Sequence, residues 1–133
     1  MDGDPAAGGN TPAGCVLVVD DDELIRDVVA EALEQEGCTV RTAPHGAAAL
    51  EQLRQRQPAV ILLDMRMPVM SGWEFAVAYR RMPGPHAPIV VLTAARDAQH
   101  WAAEIHAADF LAKPFELDDL FTVVRRYADC VSH

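Results

Sequence analysis

Five side chains able to manage a charged ligand sit directly behind short apolar runs. Asp64 follows Ala59-Val60-Ile61-Leu62-Leu63 and precedes Met65-Arg66-Met67-Pro68-Val69-Met70-Ser71-Gly72. Asp20 and Asp21 follow Val16-Leu17-Val18-Val19, Thr93 follows Ile89-Val90-Val91-Leu92, and Lys113 follows Phe110-Leu111-Ala112. Such runs read as strands buried on both faces, and a polar residue placed just beyond one emerges at the carboxyl edge of a sheet, where open α/β folds bind ligands. Held together there, Asp20, Asp21 and Asp64 would repel by about 4 kcal/mol per pair at 4 Å in an effective dielectric near 20. Lys113 supplies one compensating charge and a divalent cation with oxygen ligands supplies two, Mg²⁺ being preferred where carboxylates are few and a phosphate completes the shell. Asp64 is then a candidate nucleophile that forms an aspartyl phosphate, with Lys113 and the Thr93 hydroxyl next to the equatorial oxygens.

The elements that must hold these residues alternate short β-type runs with helical patterns, the mark of a parallel sheet covered on both faces. Leu24, Ile25, Val28, Val29, Ala32 and Leu33 form one stripe of a first helix that Gly37 stops. A second strand over Cys38–Thr42 leads to a second helix over His45–Gln57, which stops before Pro58. Ser71 and Glu74 have capping-box spacing and start a third helix that runs to Met82, where Pro83-Gly84-Pro85 breaks it. A fourth helix is expected from Asp97 to His106 on a partial stripe, and a fifth from Leu117 on a stripe that continues through Tyr127, Ala128 and Val131. The reading is a five-unit α/β domain.

At 133 residues, half of them hydrophobic, the chain suits one domain with a substantial core. Its net charge of −9, from 11 basic and 20 acidic residues, disfavours nucleic acid as a direct partner. No apolar stretch approaches the roughly 20 residues that cross a bilayer, and residues 1–14 read as a disordered tail without the features of a signal peptide. Cys15, Cys38 and Cys130 are odd in number and lack metal-binding spacing, so the expectation is structural thiols in a reduced, cytoplasmic protein.

The four strand-end features together resemble the receiver domain of two-component response regulators, over Cys15 to Val131. That family has an acidic pair after strand one, a phosphorylated Asp after strand three continued by Met-Pro-x-Met-x-Gly, Ser or Thr after strand four, and Lys-Pro after strand five. The resemblance implies a doubly wound (βα)₅, flavodoxin-like sheet of order 2-1-3-4-5, and a switch rather than a metabolic enzyme. It implies that Asp64 takes a phosphoryl group from a histidine kinase or a histidine phosphotransfer protein, the domain catalysing its own phosphorylation and dephosphorylation. Asp21, Asp64 and the Arg66 backbone carbonyl would bind Mg²⁺, with Asp20 acting through water. Thr93 and Phe110 would be switch residues that reshape the surface of the fourth helix, fifth strand and fifth helix for a downstream effector protein or an output domain. The same surface is the family's usual homodimer interface, and the Lys113-Pro114 bond is cis in the family. Ala94 fits a position that is usually small. Arg66 and Ala95 stand where side chains tune dephosphorylation. The 19 residues between Thr93 and Lys113 form a slightly short span, so the fourth helix is expected to be short or mobile.

Singly, each residue has a plainer use. Asp21 or Asp22 could cap the first helix, and Asp22 is read as a cap. Asp64 could start a turn, Thr93 could be a strand-end hydroxyl, Lys113 a solvated amine and Phe110 a core residue. The five histidines show no ligand spacing, and both tryptophans read as packing residues. From another class, a haloacid dehalogenase-type phosphatase would use Asp20 as nucleophile with Asp22, Thr93 and Lys113. That family leaves Asp64 and Met67-Pro68 without a role.

Overall fold

Alternation within the apolar runs builds the molecule's two cores. The computed structural model describes residues 15–67 and 69–131. Its strands are β1 (Cys15–Val19), β2 (Thr39–Ala43), β3 (Val60–Asp64), β4 (Ile89–Ala94) and β5 (Asp109–Lys113), and its helices are α1 (Glu23–Gln35), α2 (Gly46–Gln55), α3 (Gly72–Arg81), α4 (Ala95–Glu104) and α5 (Leu117–Arg125). Pairing is parallel throughout, in the order β2-β1-β3-β4-β5. Successive strand residues point to opposite faces. Leu17, Val19, Ile61, Leu63, Ile89 and Val91 therefore meet α2 and α3, with the Ile105 end of α4. Val16, Val18, Val60, Leu62, Val90 and Leu92 meet α1 and α5 on the other face. Both sides of β1 and β3 are closed to solvent, each buried aliphatic side chain contributing about 2 kcal/mol.

Local signals set most helix ends. Asp22 caps α1, its carboxylate accepting from the Leu24 and Ile25 amides, and Gly37 takes a φ of 106° just past the helix. Ser71 and Glu74 form the expected capping box of α3. His45 proves to be the cap of α2 rather than its first residue, its ring accepting from the Ala48 amide, and the helix ends at Gln55.

Several expectations need correction. α4 begins two residues earlier than the stripe suggested and spans ten residues, the same length as α2 and α3, so it is not short. It stops before His106, which has a φ of 54°, and the Ala108 amide then bonds to the Ile89 carbonyl and leads the chain into β5. α5 ends at Arg125 although the apolar stripe continues. The Arg126 and Tyr127 amides bond three residues back, to Val123 and Val124, tightening the chain into a turn while Ala128 and Val131 stay buried. Burial, not helical continuation, explains the late apolar positions. Trp73 is exposed rather than packed, whereas Trp101 does pack against the core.

The cysteine reading also changes. Cys38 and Cys130 are joined as a disulfide with Cα atoms 4.8 Å apart, and only Cys15 is a free, buried thiol among the described residues. The turn after α5 folds Cys130 against the loop between α1 and β2, a proximity across 92 residues that spacing rules do not register. The expected tail, residues 1–14, lies outside the described residues. Among the described residues no helix is long and apolar enough to cross a membrane.

Candidate functional site

Parallel pairing brings every strand's carboxyl end to one edge, and register decides which residues meet there. Asp64 lies opposite Leu92, Thr93 opposite Ala112 and Ala94 opposite Lys113. The Asp20 amide donates to the Ala43 carbonyl, which ties the turn after β1 to the end of β2. Asp20, Asp21, Asp64, Arg66, Thr93 and Lys113 consequently line one cleft of about 720 Å³. Its other wall is apolar, with Leu24, Val28 and Leu117 presented to solvent.

The three carboxylates offer one oxygen each, all within 4.8 Å of one another. Their environments differ. Asp20 is fully buried, Asp64 is 5% exposed and Asp21 is open to solvent. Both Asp20 oxygens are engaged: Oδ1 accepts from the Asp22 amide at 2.9 Å and Oδ2 from Lys113 Nζ at 2.9 Å. The Asp20 carbonyl accepts from Arg26 at 2.7 Å. Asp64 Oδ1 accepts from the Arg66 amide at 3.3 Å and lies 3.7 Å from Lys113 Nζ.

These contacts set the proton affinities. Burial raises the Asp64 carboxyl, and the Asp20 charge adds to it. Lys113 and the Arg66 amide pull the other way, and the carboxyl ends near 6, against an ordinary 3.8. Burial lowers the Lys113 ammonium, but its hydrogen bond to Asp20 and the charges of Asp64, Asp20 and Asp22 outweigh this, holding it above the usual lysine range. At pH 7 the cluster is thus three carboxylates around one ammonium, an excess of negative charge at an oxygen-only donor set. A small hard divalent cation fits that set, since it adds two positive charges and prefers carboxylate, carbonyl and water oxygens.

The sequence-derived residues converge with one exception. Phe110 is not in the cleft; it sits on β5 opposite Val91, 40% exposed. Two contacts escaped the sequence reading. Arg26, one turn into α1, ties down the Asp20 backbone, and its place in the helix that starts beside the acids was the available signal. The Arg66 guanidinium pairs with Asp97 Oδ2 at 2.8 Å, across a separation of 31 residues that no local pattern marks.

Fold and site define a doubly wound α/β domain whose carboxyl edge carries a carboxylate–lysine cluster. The model of the response regulator receiver domain matches residues 16–125. The DNA-binding transcriptional regulator NtrC of Escherichia coli (strain K12) is 38% identical over 122 residues, covering 90% of this chain and 25% of that protein. An uncharacterized 14.6 kDa protein of Leptolyngbya boryana is 35% identical over 115 residues, covering 84% of this chain and 88% of the relative. The chain thus spans about a quarter of the length of NtrC and most of the smaller relative. The chemotaxis response regulator CheY4 of Vibrio cholerae superposes with a TM-score of 0.78 at 33% identity, over 86% of this chain and 98% of that one. The response regulator TrrA of Thermotoga maritima, solved in complex with Mg²⁺ and BeF, gives 0.74 at 31% identity, over 85% and 97%. The chain belongs to the response regulator receiver domain family. It is a receiver domain of the two-component signalling systems, with the family's flavodoxin-like 2-1-3-4-5 sheet.

Proposed function

We propose that Asp64 is the phosphoacceptor of this receiver and that Asp21, Asp64 and the Arg66 backbone carbonyl hold Mg²⁺, with Asp20 acting through water. The observation that carries the reading is the placement of three carboxylate oxygens within 4.8 Å of one another beside a single ammonium, with Asp64 lining an open cleft. Mg²⁺ when bound would neutralise carboxylate charge and draw the oxygens of a phosphoryl group. The chain's own residues do the rest. An Asp64 oxygen attacks phosphorus as the bond to the donor's histidine nitrogen breaks, and the imidazole leaves with a proton from solvent. Lys113, the only ammonium within reach of Asp64 among the described residues, offsets charge on the transferring group. Water attack on the aspartyl phosphate returns the carboxylate and inorganic phosphate, so the domain catalyses both halves of its cycle.

Thr93, buried at the end of β4, then takes a phosphoryl oxygen as hydrogen-bond acceptor for its hydroxyl. Phe110 stands half exposed on the neighbouring strand, free to turn inward when Thr93 moves, and the face of α4, β5 and α5 changes as a result. The donor is a histidine kinase or a histidine phosphotransfer protein. The receiver of the signal is an effector protein, an output domain or a second copy of the chain. A cytoplasmic location, without direct binding to nucleic acid or membrane, fits such a relay.

The haloacid dehalogenase alternative is disfavoured because Asp20 is fully buried and each of its oxygens already accepts a hydrogen bond, one of them from Lys113, which blunts it as a nucleophile. Quenched intact-mass analysis after brief exposure to acetyl phosphate with Mg²⁺ separates the readings. One phosphoryl group is expected, lost in Asp64→Asn and with chelator. Labelling that persists in Asp64→Asn but disappears in Asp20→Asn would overturn the assignment.

A further inference from the structure

The Arg66–Asp97 ion pair has no part in the cycle above, yet one of its ends is rooted at the phosphoacceptor. The Arg66 amide donates to Asp64 Oδ1 at 3.3 Å, and Arg66 lines the cleft. Its guanidinium nevertheless lies 2.8 Å from Asp97 Oδ2, on the first turn of α4, and Asp97 is not part of the cleft wall. The Arg66 side chain is 72% exposed and that of Asp97 is 23% exposed, so the arginine is the freer partner. Asp97 is also the acidic residue of a helix turn whose N-cap, Ala94, makes no side-chain hydrogen bond. Its carboxylate thus faces two positive features at once, the Arg66 fork and the amino end of α4.

A phosphoryl group on Asp64 would change the competition for Arg66. It brings close to two negative charges and three acceptor oxygens to a point beside the Arg66 peptide, whereas Asp97 offers one charge. A guanidinium binds phosphate oxygens through parallel hydrogen bonds, and rotation about its own side-chain bonds redirects it without moving the backbone that holds Asp64. We propose that Asp97 is a positioning residue: it keeps the Arg66 guanidinium out of the phosphoacceptor cleft and yields it to the phosphoryl group. Filling the site then gains a second cation beside Lys113 and releases the first turn of α4, a direct electrostatic link from Asp64 to that helix. This rests on Asp64 being the phosphoacceptor.

The test is the affinity of the full chain for beryllofluoride in saturating Mg²⁺, measured by titration calorimetry and by fluorine NMR of the bound complex. Asp97→Asn removes the competitor and should tighten binding by about threefold, the range that an exposed ion pair confers, with the gain shrinking as salt is raised. Arg66→Ala, which retains the backbone carbonyl, should weaken binding. In the Arg66→Ala background the Asp97→Asn change should have no effect. An equal gain in both backgrounds would reveal a general charge effect and overturn the proposal, as would no gain in either. If Asp97→Asn is poorly folded, Asp97→Ser keeps a small polar side chain in the helix turn and should give the same shift. Failure of the wild-type chain itself to bind beryllofluoride would overturn the phosphoacceptor reading and this inference together; a wild-type chain that binds while Asp97→Asn matches it overturns this inference alone.

Discussion

Replacing Asp64 by Asn should make the metal-free domain more stable at neutral pH, although it removes the proposed phosphoacceptor. The Asp64 carboxyl is raised from 3.8 to about 6, first by burial and then by the Asp20 charge. A rise of about 2 units corresponds to about 3 kcal/mol at 1.36 kcal/mol per unit. Coulomb repulsion is of the same order: two carboxylate oxygens within 4.8 Å of each other repel by at least about 3 kcal/mol in an effective dielectric near 20. Lys113, 3.7 Å away on the Asp64 side, returns part of this. The sign follows from proton binding. Between pH 4 and 6 the folded chain holds the Asp64 proton that the unfolded chain has released, so this group's contribution to stability is present in acid and falls as pH rises to about 6. Asn cannot ionise and its carbonyl can still accept from the Arg66 amide. Urea unfolding with chelator should therefore show Asp64→Asn more stable than wild type by about 1 to 3 kcal/mol at pH 7.5, at unchanged m-value, with the gap closing below pH 4. Adding Mg²⁺ should narrow the gap at pH 7.5, because a ligand that binds only the wild-type native state stabilises it. A gap that is absent at pH 7.5, or constant across the pH range, would refute the charge-repulsion argument.

Other perturbations test the parts around Asp64. Lys113→Ala leaves the fully buried Asp20 without its cation and should lower the unfolding free energy by about 3 kcal/mol in chelator, with a measurable part restored by Mg²⁺. Gly72→Ala would set a methyl 2.5 Å from the Met65 sulfur and 2.9 Å from the Asp64 carbonyl oxygen; the backbone must move, so a loss of about 1 to 3 kcal/mol together with weaker Mg²⁺ binding by calorimetry is expected. Asp21→Asn should lower Mg²⁺ affinity sharply, whereas Asp22→Ala should chiefly remove the α1 cap, about 1 kcal/mol in thermal unfolding; equal losses of metal affinity in the two would contradict their separate roles.

Much of this molecule could be read along the chain because the relevant patterns are local. The unbroken aliphatic run from Val60 to Leu63 fits a strand buried on both faces, whatever lies beside it. Ser71 with Glu74, Asp22 before Leu24, and Gly37 after the α1 stripe are signals confined to a few residues, and each works as its spacing predicts. The strand-end positions of Asp20, Asp21, Asp64, Thr93 and Lys113 were legible for the same reason, and parallel pairing turns these four strand ends into one cleft. The end of α5 was not legible, since an apolar stripe at Tyr127, Ala128 and Val131 records burial and not the hydrogen bonds that reach it.

Composition and periodicity thus determined the fold class, the strand and helix sequence, and which side chains could meet a phosphoryl group. Distances through space were left to the tertiary structure. Asp20 becomes a lysine-paired anchor and Asp64 a carboxylate of raised proton affinity only when β1, β3 and β5 are set in register, because burial and neighbouring charge arise from other segments. The disulfide between Cys38 and Cys130 and the pairing of Arg66 with Asp97 have the same origin. Sequence separation has no fixed relation to distance once a sheet has ordered its strands 2-1-3-4-5, and only the packed chain decides which charges share a hydrogen bond.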